Sequence, residues 1–149
     1  MTVRLAISGF GRIGRMVLRA LVETGRDDVE IVLINTPGPV ETSTHLYEFD
    51  SIHGRAHVSV SHGEGWMDVG RGRITMTHER DPAMIPHADH GVDVVLECSG
   101  RFNDRDSSAA HLAAGAKRVL VSAPCKNSDA TIVYGVNHDE ITADRLVVS

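Results

Sequence analysis

The stretch Val3-Arg4-Leu5-Ala6-Ile7-Ser8-Gly9-Phe10-Gly11-Arg12-Ile13-Gly14 decides the fold. Its first six residues read as a buried strand that runs straight into glycine. Glycines at 9, 11 and 14 then make a G-x-G-x-x-G pattern. Over residues 15–24, Met16, Val17, Leu18, Ala20, Leu21 and Val22 form a wide apolar face, and Gly25 stops the helix they predict. Val29-Glu30-Ile31-Val32-Leu33-Ile34-Asn35 is a second buried strand. It is closed by Thr36-Pro37-Gly38-Pro39, which neither a helix nor a central strand tolerates. The order strand, glycine turn, helix, strand describes a parallel unit with a right-handed crossover.

In that setting each glycine has a physical task. Gly9 makes the tight turn, Gly11 lets a pyrophosphate approach the backbone, and Gly14 lets the helix pack closely on the sheet. The helix start offers free N–H groups and partial positive charge to an anion. The same fingerprint expects an acid about 20 residues further on, to hold the ribose 2′-OH. Asn35 and Thr36 stand there instead. Glu30 lies inside the strand and Glu41 beyond the Pro-Gly-Pro turn.

Working outward, residues 42–51 read as a helix capped by Thr42 or Ser43. Residues 56–62 and 72–78 read as β structure around a turn at Gly63-Glu64-Gly65-Trp66. Asp81-Pro82-Ala83-Met84 starts a short helix, with proline in its first turn. A buried strand is expected over 91–98, a helix over 104–114 closed by Gly115, and strands over 117–122, 130–134 and 146–149. The alternation predicts an α/β domain of Rossmann type over residues 1–149. It is an open, mostly parallel twisted sheet with helices on both faces and a β-rich insert. No repeat, low-complexity segment or Gly/Ser linker divides the chain.

Composition bounds the function. The 149 residues are 42% apolar and 23% charged, enough for one ordinary core without disulfides. Fifteen basic against twenty acidic residues leave a formal charge of −5, the wrong sign for a nucleic-acid face. No apolar run approaches the ~18 residues of a membrane span, and no signal core opens the chain, so a cytoplasmic location is expected. The two cysteines, Cys98 and Cys125, are too few for a disulfide scaffold and read as passive thiols. His87 and His90 have loose metal-ligand spacing, but nothing nearby completes a site; they read as surface loop residues, and no metal is expected.

Ser8-Gly9-Phe10-Gly11-Arg12-Ile13-Gly14-Arg15 closely resembles the N-terminal signature of the phosphorylating glyceraldehyde-3-phosphate dehydrogenase family. The likeness runs along nearly the whole chain. Phe49-Asp50-Ser51-Ile52-His53-Gly54-Arg55 is similar to the family's YDSxHGxF block, Glu79-Arg80-Asp81-Pro82 to ERDP, and Glu97-Cys98-Ser99-Gly100-Arg101-Phe102 to ESTGxF. Residues 114–119, 121–124 and 135–138 match three more blocks.

The resemblance implies an NAD- or NADP-binding domain followed by a catalytic domain. There a cysteine attacks the aldehyde, hydride passes to nicotinamide, and inorganic phosphate releases the acyl group as an acyl phosphate, with a histidine as base. The family's nucleophile lies in SNASCTTN, and this chain ends at the first serine of that pattern. The nucleophile, its histidine and the substrate domain are therefore expected outside these 149 residues, and this chain alone is expected to turn over nothing and to bind nucleotide weakly. A homotetramer is implied for the intact enzyme, with apolar surface left uncovered on this portion.

Carried over residue by residue, the resemblance places Gly9, Phe10, Gly11, Arg12, Ile13 and Gly14 at the pyrophosphate. Asn35 and Thr36 go beside the adenosine ribose, Glu79 and Arg80 near adenine, Ser99, Gly100 and Phe102 on its other side, and Ser122 under the second ribose. Thr36 stands where NAD-specific members have an aspartate, and Ser8 where most have asparagine. One carboxylate repelling a phosphate monoester is a specificity device, since two unit charges 4 Å apart interact by roughly 4 kcal/mol near a surface. Its absence predicts tolerance of NADP beside NAD. The substrate reading is glyceraldehyde 3-phosphate; the alternatives are an erythrose-4-phosphate dehydrogenase and a freestanding dinucleotide-binding module without catalysis.

Overall fold

A computed structural model describes residues 2–149. In chain order the elements are β1 (Val3–Ser8), α1 (Arg12–Glu23), β2 (Val29–Asn35), α2 (Val40–Glu48), β3 (Phe49–Asp50) and β4 (Gly54–Arg55). They continue with β5 (Ser61–Gly63), β6 (Trp66–Asp68), β7 (Arg73–Thr77), β8 (Val94–Glu97), α3 (Arg105–Ser108), α4 (Ala110–Ala113), β9 (Arg118–Val121) and β10 (Val147–Val148). Eight strands form one sheet in the order β10-β9-β8-β1-β2-β7-β6-β5, and β3 and β4 make a separate hairpin. The pairings from β10 to β7 are parallel, whereas β6 and β5 join antiparallel. This is the expected Rossmann-type α/β sheet with a β-rich edge.

The apolar pattern sorts into two cores. Leu5, Ile7, Leu18, Ile31, Ile34, Val40 and Tyr47 belong to one. Ala6, Val32, Leu33, Val95, Val119 and Val147 belong to the other, with Ala109 and Leu112 packed against them. Strand residues alternate between faces, so Ile31 and Ile34 should oppose each other. They share a core because the β1–β2 register slips: Leu5 pairs with Ile31 and Ala6 with Leu33, leaving Val32 as an extra residue.

Several expectations need correction. Residues 130–134 form no strand; a bridge joins Ala130 to Val148, Ser149 N–H donates to the Ala130 carbonyl and Ile132 N–H to the Ser149 carbonyl, and the pairing goes no further. Their alternating Thr-Ile-Val-Tyr pattern has no sheet face to cover, and Val133, Tyr134 and Val136 are exposed. Residues 56–60 form no strand either: Ala56 N–H donates to the Glu48 carbonyl, the chain bends at 57–58, and strand pairing begins only at Ser61. The single helix expected over 104–114 is two short ones meeting at Ala109. The helix expected over 42–51 starts earlier, at Val40 after Pro39, and ends at Glu48.

Candidate functional site

The order of the sheet creates the site. β1 has β2 on one side and β8 on the other, so the chain leaves β1 in opposite directions and opens a crevice beyond the strand ends. A cavity of about 310 Å³ lies there. Ser8, Gly9, Phe10 and Gly11 line it from the end of β1, and Asn35, Thr36 and Pro37 from the end of β2. Glu79, Arg80, Pro82 and Ile85 come from the segment after β7, and Cys98, Ser99, Arg101 and Phe102 from the segment after β8.

The glycine turn is built as the spacing demands. Gly9 has φ +90°, and a Cβ there would fall 2.5 Å from the Ser99 backbone. A Cβ on Gly14 would lie 2.3 Å from the Gly9 carbonyl oxygen and 3.0 Å from Ile7 Cγ2. Gly11 differs, since a Cβ there meets nothing within 4 Å. It is the N-cap of α1, with no side-chain cap and no acid in the first turn. The opening N–H groups of α1, which have no acceptor within the helix, follow directly on the cavity-lining Gly11. This is the room and polarity that an anionic group spanning the turn requires. The Phe10 ring points the other way, buried and stacked on Tyr47 at 6.4 Å.

Two polar clamps shape the walls. Asn35 Nδ2 donates to the Glu79 carbonyl at 2.9 Å, and its Oδ1 accepts from Glu79 N–H at 2.8 Å and Thr77 Oγ1 at 2.9 Å. Beside it, Thr36 N–H donates to the Thr77 carbonyl, and the Thr36 carbonyl accepts from His78 Nδ1 at 2.8 Å. On the opposite wall, Glu97 is buried at the end of β8. It accepts from Ser99 N–H at 2.7 Å, from Ser99 Oγ, and from His111 Nε2 at 3.0 Å. Burial opposes the charge on Glu97, but these hydrogen bonds, with one from Ser8, outweigh it and hold the carboxyl below its usual range.

Nine of the fourteen expected site residues line the cavity: Gly9, Phe10, Gly11, Asn35, Thr36, Glu79, Arg80, Ser99 and Phe102. Gly14 lies buried beneath the turn. Arg12 and Ile13 are exposed on the first turn of α1, Gly100 is exposed at φ +72°, and Ser122 is exposed after β9, where its N–H donates to the Glu97 carbonyl. Sequence reasoning missed six lining residues: Ser8, Pro37, Cys98 and Arg101, each next to an expected one, and Pro82 and Ile85 further along the Glu79-Arg80 wall. The signal for Pro82 and Ile85 was the proline-containing turn directly after Glu79-Arg80.

His87 is a correction. It is not on the surface but 1% exposed, and its Nε2 meets His111 Nδ1 at 3.0 Å. Val92 N–H donates to its carbonyl, folding the loop inward, while His90 is half-buried with its carbonyl accepting from Arg4 Nε. Among the described residues no group of three or more His, Cys, Asp or Glu has metal-site geometry. Burial pushes both thiols, Cys98 and Cys125, above their ordinary range, the opposite of what a nucleophile needs. No helix among the described residues is long and apolar enough to cross a membrane.

A family model described as the glyceraldehyde 3-phosphate dehydrogenase NAD binding domain matches residues 3–105. Proteins named glyceraldehyde-3-phosphate dehydrogenase from Xanthobacter flavus and Cereibacter sphaeroides are 59% and 60% identical to this chain over 149 residues. The alignments cover all of this chain and 44% of each relative. A protein of the same name from Pseudomonas aeruginosa is 50% identical, with 45% of it covered. The chain thus spans less than half the length of these relatives.

Proposed function

The chain belongs to the glyceraldehyde 3-phosphate dehydrogenase NAD-binding-domain family, and from that premise we propose that its cavity holds NAD or NADP as the cofactor-binding half of a phosphorylating aldehyde dehydrogenase. One observation carries this reading. The cavity sits at the switch point of the parallel sheet, and its mouth is the glycine turn that leads into α1 with no side-chain cap. The residues present fit the group. Gly11 leaves space for a pyrophosphate, and the N–H groups of Arg12 and Ile13 receive its charge. Asn35 and Thr36 flank the adenosine ribose, adenine lies between Glu79-Arg80 and Ser99-Phe102, and Ser122 serves the second ribose.

The charge lining the cavity supports an anionic ligand. Arg80 and Arg101 outnumber the single acid, Glu79, although the whole chain is acidic. Thr36 offers no carboxylate to repel a 2′-phosphate, and Arg80 on the same wall attracts one. On that ground the domain accepts NADP as well as NAD.

When bound, nicotinamide supplies the hydride acceptor for aldehyde oxidation. This chain's own part is to bind and orient. The glycine turn fixes the diphosphate, and the Asn35 and Glu97 clamps hold the two adenosine walls. The names of the relatives favour glyceraldehyde 3-phosphate over erythrose 4-phosphate as the substrate of the whole protein, with inorganic phosphate as co-substrate. A cytoplasmic homotetramer belongs to the same proposal. Two assays test it: oxidation of both aldehydes by the full-length protein carrying this domain, and dinucleotide binding by this chain. Activity with neither aldehyde would refute the catalytic part, and absence of binding the cofactor part.

A further inference from the structure

Behind the adenosine wall lies a row of three buried side chains that the binding reading does not use. Glu97 is 1% exposed, His111 0% and His87 1%. His111 Nε2 meets Glu97 Oε2 at 3.0 Å, and His111 Nδ1 meets His87 Nε2 at 3.0 Å. The row ends at His87 Nδ1, a buried ring nitrogen with no partner.

The row touches both cavity walls. At one end, the other Glu97 oxygen accepts from both the N–H and the hydroxyl of Ser99, which lines the cavity. In the middle, the Phe102 ring stands edge-on to His111 with centroids 6.3 Å apart, and Phe102 also lines the cavity. At the far end, His87 follows Pro82 and Ile85, which line the opposite wall, and His87 N–H donates to the Ile85 carbonyl at 2.7 Å.

Proton counting fixes the direction of each bond. An ionised carboxylate only accepts, so His111 carries its proton at Nε2 and Ser99 points its hydroxyl proton at Glu97. Ser99 Oγ therefore turns its lone pairs outward, and there it accepts from Arg101 N–H at 3.1 Å. Burial drives His87 toward the neutral form, followed by the neighbouring His111 and His90, so it carries a single ring proton. A buried bare nitrogen is tolerated better than a buried unpaired N–H. The proton of His87 is thus on Nε2, donated to His111 Nδ1, and its Nδ1 is the bare end of the row.

We propose that Glu97, His111 and His87 are positioning residues: a proton-ordered row that presents Ser99 to the cavity as a hydrogen-bond acceptor and ties the adenosine walls together. The ligand chemistry that fits is a donor on the nucleoside part of a nucleotide, a ribose hydroxyl or an adenine amino group. This rests on the dinucleotide reading above.

Glu97→Gln separates this role from simple filling of space. A carboxamide has nearly the same shape but one acceptor oxygen, so it cannot take donors on both sides. Either His111 reverses its tautomer or Ser99 turns its hydroxyl outward and becomes a donor.

The experiment uses the 149-residue chain with ADP-ribose as probe. Amide shifts of Ser99 and Phe102 report binding, and imidazole nitrogen shifts report the tautomers of His111 and His87. Wild type is expected to show His111 protonated at Nε2 and His87 bare at Nδ1. Glu97→Gln and His111→Leu are expected to weaken ADP-ribose by about tenfold, the scale of one broken buried network. His111→Gln, which restores an N–H toward Glu97, is expected to return affinity to within about threefold of wild type.

Folded Glu97→Gln and His111→Leu chains that bind like wild type would overturn the proposal. So would a wild-type His111 with a bare Nε2, and that result needs neither a variant nor a ligand. Wild type showing no ADP-ribose shifts would count against the dinucleotide reading instead, while the nitrogen shifts still decide the row.

Discussion

Asn35 and Glu79 are joined twice, side chain to backbone: Asn35 Nδ2 donates to the Glu79 carbonyl and Asn35 Oδ1 accepts from the Glu79 N–H. The carboxamide acts as a substitute peptide unit that extends the sheet edge by one rung beyond Thr77. Its consequence is functional as well as structural. Much of the Asn35 side chain is committed to holding the Glu79-Arg80 wall, which in the proposed binding mode leaves the ribose to Thr36 and backbone groups. Asn35→Ala leaves the Glu79 amide and carbonyl without these partners. It should cost about 2 kcal/mol in urea unfolding and weaken dinucleotide binding in parallel. Retained stability with lost binding would mean that Asn35 serves the ligand directly.

The three glycines should separate by experiment. Gly9→Ala meets both a positive φ and the Ser99 backbone, and should destabilise by more than about 3 kcal/mol. Gly14→Ala drives a methyl into the Gly9 carbonyl and should cost about 2 kcal/mol. Gly11→Ala has room and negative φ, so its unfolding midpoint should stay within about 0.5 kcal/mol of wild type. Its methyl occupies the space at the cavity mouth, and dinucleotide affinity should fall by about tenfold or more. Unchanged affinity in Gly11→Ala would move the pyrophosphate elsewhere.

The proposed tolerance of NADP turns on Thr36. Thr36→Asp introduces a carboxylate at the end of β2, on the wall shared with Arg80. It should raise the ratio of NAD to NADP affinity by about tenfold or more, given the size of charge repulsion at such distances. Titration of wild type and variant with both dinucleotides gives the ratio. If it does not move, Thr36 has no part in reading the 2′ position.

Acid should loosen the fold through His87. Its pKa is pushed from 6.5 down to about 4, by burial first and then by His111 and His90. The unfolded chain takes up this proton below its ordinary pKa while the folded chain resists. The contribution of His87 is thus fully present above pH 6.5, is lost as the pH falls, and changes no further below about pH 4. Between pH 7 and 4.5 the loss from this residue is about 2 kcal/mol. Urea unfolding at both pH values should show that drop in wild type beyond the drop in His87→Leu. Equal drops would place the acid sensitivity in groups other than His87.

What the sequence revealed follows from how local each signal is. The β1–α1–β2 unit was legible because strand, glycine spacing and helix face all lie within 35 residues and agree. The cavity walls at Glu79-Arg80 and Ser99-Phe102 were legible only through the family resemblance, since nothing local says that residues 44 apart meet at Asn35. His87 was misread because a histidine in a loop between proline and glycine looks solvated. Its burial comes from His111, 24 residues on, and no periodicity reports that pairing. The strand expected over 130–134 failed for the opposite reason: its β-type residues are genuine, but contact with β10 and Ser149 extends only as far as Ile132, and the residues after it turn away.

The most direct test of the central claim is an amide-shift titration of the 149-residue chain with NAD and with NADP. Binding at the proposed site predicts saturable shifts at Gly9 to Gly14, Thr36, Glu79-Arg80 and Ser99 to Phe102, together with weak affinity for both dinucleotides. A second cavity, lined by Leu21, Asp27, Val69 and Arg71, serves as the internal control. Shifts confined to that cavity, or none at millimolar dinucleotide, would contradict the assignment of the switch-point crevice as the cofactor site.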